Sequence, residues 1–359
     1  MERTLTQGTG TPLAQRTATP DAAARRSSAR SGRRWAGLAI GVALLLAAVA
    51  LSIAIGSRTV DLATVWRVLW QEDGSPESVI VHQLRLPRTL LGIGVGAALG
   101  LAGTVMQALT RNPLAEPGLL GVNLGAATGV VIAVAFLGVS TATGYVWFAF
   151  AGAALTSAAV FALGGSGRAP TPERQVLAGV SLSAVLGAII WAVLVTHRGA
   201  FDRYRHWDVG SLSDRETATI LQVMPFLLAG ILLAVALGRQ LNALSMGDES
   251  ATSLGAHPGR IRVLGILTVT LLCGGATAAS GPIWFLGLAV PYIARVVTGS
   301  DHRWILAYSL LLGPTLLLGA DVLGRVLVAP AELPVGVVTA FLGAPLFIAL
   351  CRRRRLSVL

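Results

Sequence analysis

Between Arg88 and Arg111 the chain reads TLLGIGVGAALGLAGTVMQALT, Thr89 to Thr110, without one charged residue. An α-helix rises about 1.5 Å per residue and the hydrocarbon core of a bilayer is about 30 Å thick, so about 20 uncharged residues complete one crossing. This stretch therefore reads as a membrane-spanning helix closed at each end by an arginine. Working outward, further windows free of Asp, Glu and Arg cover 35–57, 117–167, 175–197, 217–238, 263–294, 304–320 and 333–351. Two are too long for one helix. The first, 117–167, is divided by the small and polar stretch from Ser140 to Gly144. The second, 263–294, is broken at Gly281-Pro282, a pairing that stops a helix, and its second half runs on past Arg295. The predicted spans are 35–57, 89–110, 118–138, 145–163, 175–197, 217–238, 261–279, 283–298, 304–326 and 335–351, ten helices of an all-α polytopic membrane protein.

Composition agrees: 54% hydrophobic residues, 13% charged residues and a mean hydropathy of +0.70 do not suit a soluble surface. All 28 basic residues are arginine. Without lysine there is no P-loop lysine, Schiff base or Ser-Lys dyad. The net charge of +11 would suit nucleic acid in a soluble chain. In a membrane protein it sets topology, because short cytoplasmic loops carry the excess of basic residues, and no nucleic-acid partner is expected. An even number of spans puts both termini on one side. With that side cytoplasmic, 19 arginines lie inside and nine outside: Arg58, Arg67, Arg85, Arg88, Arg198, Arg203, Arg205, Arg215 and Arg325. Residues 1–34 form a polar, basic tail expected to be disordered, 35–351 the transmembrane domain and 352–359 a basic cytoplasmic end. The apolar stretch 35–57 is too long for the core of a cleaved signal peptide.

Within the spans, Asp321 is the clearly placed carboxylate. An ionisable residue at that depth is a candidate proton relay, but Arg325 follows by four residues, the spacing of a helical ion pair near a helix end. The five histidines (His82, His197, His206, His257, His302) fall in loops or at span ends, and Cys273 and Cys351 are far apart in sequence. No metal-ligand pair and no nucleophile with a base emerges, so neither catalysis nor a cofactor is expected. An ion-coupled secondary carrier would need more acids or histidines at mid-depth. A transporter without such a relay takes its energy from a partner, which directs attention to the longest inner loop. There Gly247, Asp248 and Glu249, then Leu254 and Gly255, predict a short helix started by acids and stopped by glycine. It is either a docking knob for a cytoplasmic motor or a solvated connector. Gly92, Gly96 and Gly100 read as close helix packing.

Several runs together carry a resemblance. They are Leu84-Arg85-Leu86-Pro87-Arg88-Thr89, Gly103-Thr104-Val105-Met106-Gln107, Arg111-Asn112-Pro113-Leu114-Ala115-Glu116-Pro117-Gly118, Trp207-Asp208-Val209-Gly210-Ser211, Gly281-Pro282-Ile283-Trp284-Phe285, Ser300-Asp301-His302-Arg303, Ala320-Asp321-Val322-Leu323-Gly324-Arg325 and Glu332-Leu333-Pro334-Val335-Gly336. From about residue 60 to 351 the chain resembles the FecCD-type permeases, membrane subunits of ABC importers for ferric siderophores, heme and cobalamin. The resemblance implies the type II importer permease fold in the cell membrane, a second permease copy (identical or a related paralogue), two ATPase subunits that hydrolyse ATP, and an extracytoplasmic substrate-binding protein. It implies that Arg85, Arg88 and Arg325 face glutamates of that binding protein, and that Gly247 to Gly255 is the coupling helix. The implied cargo is an iron chelate, a ferric siderophore before heme or cobalamin. Trp284 and Tyr292 depart from the family pattern. The charged outer loop from Thr196 to Thr217 is expected either to touch the binding protein or an anionic chelate, or to be solvated.

Overall fold

The computed structural model describes residues 20–56, 60–71, 73–165, 172–213 and 215–352, and every regular element among them is helical. In chain order these are α1 (Pro20–Ala54), α2 (Leu62–Trp70), α3 (Pro76–Thr110), α4 (Val122–Phe136), α5 (Ala142–Gly165), α6 (Pro172–Thr196) and α7 (Arg198–Asp208). There follow α8 (Thr217–Ser245), α9 (Asp248–Ser253), α10 (Pro258–Ser280), α11 (Leu286–Thr298), α12 (His302–Leu327) and α13 (Val335–Arg352). Eight are long and apolar enough to cross a membrane: α1, α3, α5, α6, α8, α10, α12 and α13. The shorter apolar helices α4 and α11 occupy the remaining two predicted spans.

The boundaries differ from expectation where turn chemistry intervenes. Residues 20–34, assigned to a disordered tail, continue α1 as helix, while residues 1–19 and 353–359 fall outside the described residues. A 3₁₀ turn over Pro117–Leu120, ending on Gly121 at φ 74°, delays α4 to Val122. The outer loops hold two surface helices, α2 and α7. The first is capped by the Asp61 side chain, which accepts from the Ala63 N–H at 3.1 Å. Its Trp66 and Trp70 are exposed, as suits rings at a membrane interface. Trp207 anchors α7 in the core while Arg198, Arg203 and Arg205 stay exposed.

The chain is built around α3, whose apolar window is 89% buried against 11% for α6 in the outer wall. Apolar burial does not favour protein over lipid tails, so close backbone approach holds such helices together. The glycine repeat provides it. Gly96 backs onto Gly313 and Pro314 of α12, Gly100 onto Ser309 and Val290, and Thr104 and Ser309 share a hydrogen bond of 2.9 Å. Any side chain at Gly96 would strike the α12 backbone. At the outer end of α3, Pro87 has no N–H and its ring would clash with the carbonyl one turn back. The helix widens there to a π turn over Ile80–Arg85, with the Leu86 N–H reaching back to Val81 O. Thr89 Oγ1 donates to the carbonyl of Arg85 at 2.8 Å.

Candidate functional site

At the outer end, the three arginines singled out in the sequence converge, and all three are engaged within the chain. The last carbonyls of a helix have no intrahelical donor and carry partial negative charge. Arg85 Nη1 donates to Ile53 O and Ala54 O, both at 2.8 Å. Arg325 Nη1 donates to Ser52 O at 2.9 Å and Ile55 O at 2.7 Å, and its Nη2 to Ser52 Oγ at 3.1 Å. Two guanidinium groups thus cap the end of α1. Asp321, fully buried, lies 3.0 Å from Arg325 Nη2 and accepts a two-pronged pair from Arg88, with Nη2 at 2.8 Å and Nε at 3.0 Å. Arg88 Nη1 also reaches Glu332 at 2.6 Å. The Arg88 side chain is 12% exposed and that of Arg325 is 2% exposed. A cavity of about 770 Å³ opens beside them, lined by Arg85, Arg88, Arg215, Glu216, Arg325 and Glu332 among others.

At the inner end, α9 is the short helix expected between two glycines. Gly247 at φ 106° and Gly255 at φ 78° take backbone angles that other residues rarely adopt. Ala251 is buried beneath the helix, while Glu249, Leu254 and Met246 are exposed. Asp248 receives a bond from Arg262 Nη2 at 2.8 Å and another from Arg111 Nη2. Arg111 Nε also donates to Leu244 O at 3.1 Å, so one side chain joins the inner ends of α3, α8 and α9. Burial acts to raise the Asp248 carboxyl, but the bonds from Arg262 and Arg111 outweigh it and hold the group below the usual carboxylate range.

A third feature escaped the sequence reading. The charge-free windows make Glu116 the inner boundary of a span, yet it lies inside the bundle. Pro117 packs on Gly287, which also faces Leu99 O. Leu99 stands about eleven residues, or ~16 Å, above the inner end of α3. The segment after Arg111 therefore climbs back between the helices. At its top, Glu116 accepts a hydrogen bond of 2.6 Å from the N–H of Phe285. Phe285 is the residue before α11 and sits at φ 66°. Nearby, Asn123 Oδ1 accepts from Thr277 Oγ1 at 3.0 Å. The signal for this re-entry was the Glu116-Pro117-Gly118 run ahead of a window whose first helix is only 15 residues long.

No group of three or more His, Cys, Asp or Glu that could hold a metal is found among the described residues. The architecture is one of helix ends, a knob and a broken helix at mid-depth. Compared with known proteins, residues 44–353 match the FecCD transport family. The ferric enterobactin transport system permease protein FepD of Escherichia coli (strain K12) is 46% identical over 313 residues, 87% of this chain and 93% of that protein. The hemin transport system permease protein HmuU of Yersinia pestis is 37% identical, over 90% of this chain and 98% of that protein. A solved structure described as a metal-chelate type ABC transporter in an inward-facing conformation superposes with a TM-score of 0.76 at 28% identity, covering 90% of this chain and 99% of the other.

Proposed function

The chain belongs to the FecCD transport family, and on that premise we propose that its cargo is a ferric siderophore. It is a multi-pass membrane protein and the permease subunit of an ATP-binding cassette importer for iron chelates, a transport subunit and not an enzyme. The ferric siderophore is favoured over heme because the likeness to a ferric enterobactin permease exceeds that to a hemin permease. The test is uptake of radiolabelled ferric catecholate, heme and cobalamin by a strain lacking its own permeases and supplied with this chain and its partners. Restored ferric catecholate uptake is expected, and restoration of heme or cobalamin uptake alone would overturn the reading.

The partners proposed are two ATPase subunits, a second permease copy and an extracytoplasmic binding protein. Supporting the first is α9, a knob with exposed Met246 and Leu254 beside two glycine turns, shaped to seat in a groove. Its docking residues are Gly247, Asp248, Glu249, Leu254 and Gly255. For the binding protein we propose the rim formed by Arg85, Arg88 and Arg325. Arg85 and Arg325 fix the wall by capping α1. Arg88, the most exposed of the three guanidinium groups at the cavity, makes the direct contact with a carboxylate of the partner. Charge complementarity of this kind steers encounter and fixes register more than it adds affinity.

A further inference from the structure

Two residues other than glycine adopt a left-handed backbone among the described residues: Arg111 at φ 48° and Phe285 at φ 66°. Such backbone costs about 1 kcal/mol or more, and persists only where surrounding contacts impose it. These two are joined. Arg111 starts the re-entrant segment and grips Asp248 of α9, and five residues later Glu116 holds the Phe285 N–H. From Phe285 the contact passes to α13, its side chain lying against Gly343 and its ring centroid 6.2 Å from that of Phe347. Trp284 beside it packs on Gly118 and is 37% exposed.

A helix that begins at mid-depth leaves its first N–H groups without intrahelical acceptors. Glu116 supplies one of those acceptors. The turn over 281–285, which includes Pro282, is irregular backbone packed against Trp207 and Gly210, and Pro291 follows within α11. Its last residue, Phe285, is held by Glu116 through the 2.6 Å bond to its N–H.

We propose that Glu116 is a positioning residue for transport: it carries the displacement of α9, through Arg111, to the broken start of α11 and so to α13. The proposal rests on α9 being the seat of the ATPase. Its test uses the importer assembled with its ATPase in liposomes. The permease carries Trp284→Cys in a Cys351→Ser background and is labelled with a maleimide in the nucleotide-free and the ATP-vanadate states. Labelling at position 284 is expected to differ between the two states by about threefold or more. With Glu116→Ala the ratio falls to near one while basal ATP hydrolysis stays within about twofold, because a coupling residue can be lost without loss of the motor. Glu116→Gln, whose amide oxygen still accepts from the Phe285 N–H, restores most of the response. If the Ala variant responds as the parent does, or if Ala and Gln lose response and thermal stability together, the role of Glu116 is overturned. If the parent permease retains no ATPase at all, the docking of α9 falls, and the proposal with it.

Discussion

Asp321 shows how a single buried carboxylate organises the outer end of the molecule. It is fully buried and shared between Arg88 and Arg325. Removing one partner of a buried ion pair is costly because it leaves a desolvated charge uncompensated, whereas the intact pair itself adds little. Asp321→Asn keeps the shape and removes the charge, leaving two buried guanidinium groups against a neutral amide. A loss of about 3 kcal/mol is expected, read as a lower midpoint of thermal unfolding in detergent. Part of this site is legible in the sequence. Four residues along a helix make Asp321 and Arg325 neighbours whatever the tertiary fold. Arg88 is different, since it approaches only because the glycine stripe lets α3 lie close against α12. The capping of α1 by Arg85 and Arg325 was equally hidden, because nothing local to either arginine points at a helix end some thirty or 270 residues away.

At the level of elements, charge-free windows locate a helix wherever the backbone crosses the bilayer in one piece. They are blind at 112–121, where the connection between α3 and α4 stands at membrane depth because protein groups satisfy its polar atoms, whereas at 281–285 the Gly281-Pro282 pair marks the break in the sequence itself. A carboxylate in the 112–121 stretch looks like a loop residue to any count of charges, which puts Glu116 at a boundary. The short α9 poses the opposite problem. Six residues cannot sustain an isolated helix, since the first turn is costly to form and too few bonds follow it. Its stability comes from Ala251 packed beneath it and from the Arg111 and Arg262 clamp on Asp248. The folded-state value of that carboxyl is depressed, so the clamp contributes fully above the unfolded value of about 3.9 and is lost as pH falls through the folded value. Amide exchange over 248–255, corrected for its intrinsic pH dependence, should show the same protection from pH 8 to pH 6. Protection should fall only in strong acid. Asp248→Asn should lack the added protection at every pH, by about tenfold in exchange rate.

On the scale of the whole molecule, the proposed ATPase seat at α9 and the proposed docking rim lie at opposite ends of the helices, and the rim is where recognition of a cargo carrier would be tested. The topology expected from the sequence puts nine of the 28 arginines outside, against the general bias. Two of them, Arg85 and Arg325, already serve the end of α1, and that internal duty accounts for their position without a partner. Arg88 is balanced differently. Its Nη1 is bound to Glu332, whose side chain is 29% exposed at the cavity, so under the docking proposed above a partner's carboxylate would compete with Glu332 for the same donor. The competition gives two substitutions of opposite sign. Arg88→Gln removes the donor and should weaken association with the binding protein by about three- to tenfold, mainly through a slower on-rate that loses its salt dependence. Glu332→Gln removes a competitor and should tighten association by a smaller factor. Surface plasmon resonance on the permease in nanodiscs reads both. Two variants that weaken binding alike would mean that the rim acts only through its fold, and binding unchanged in both would place the docking surface elsewhere on the outer face.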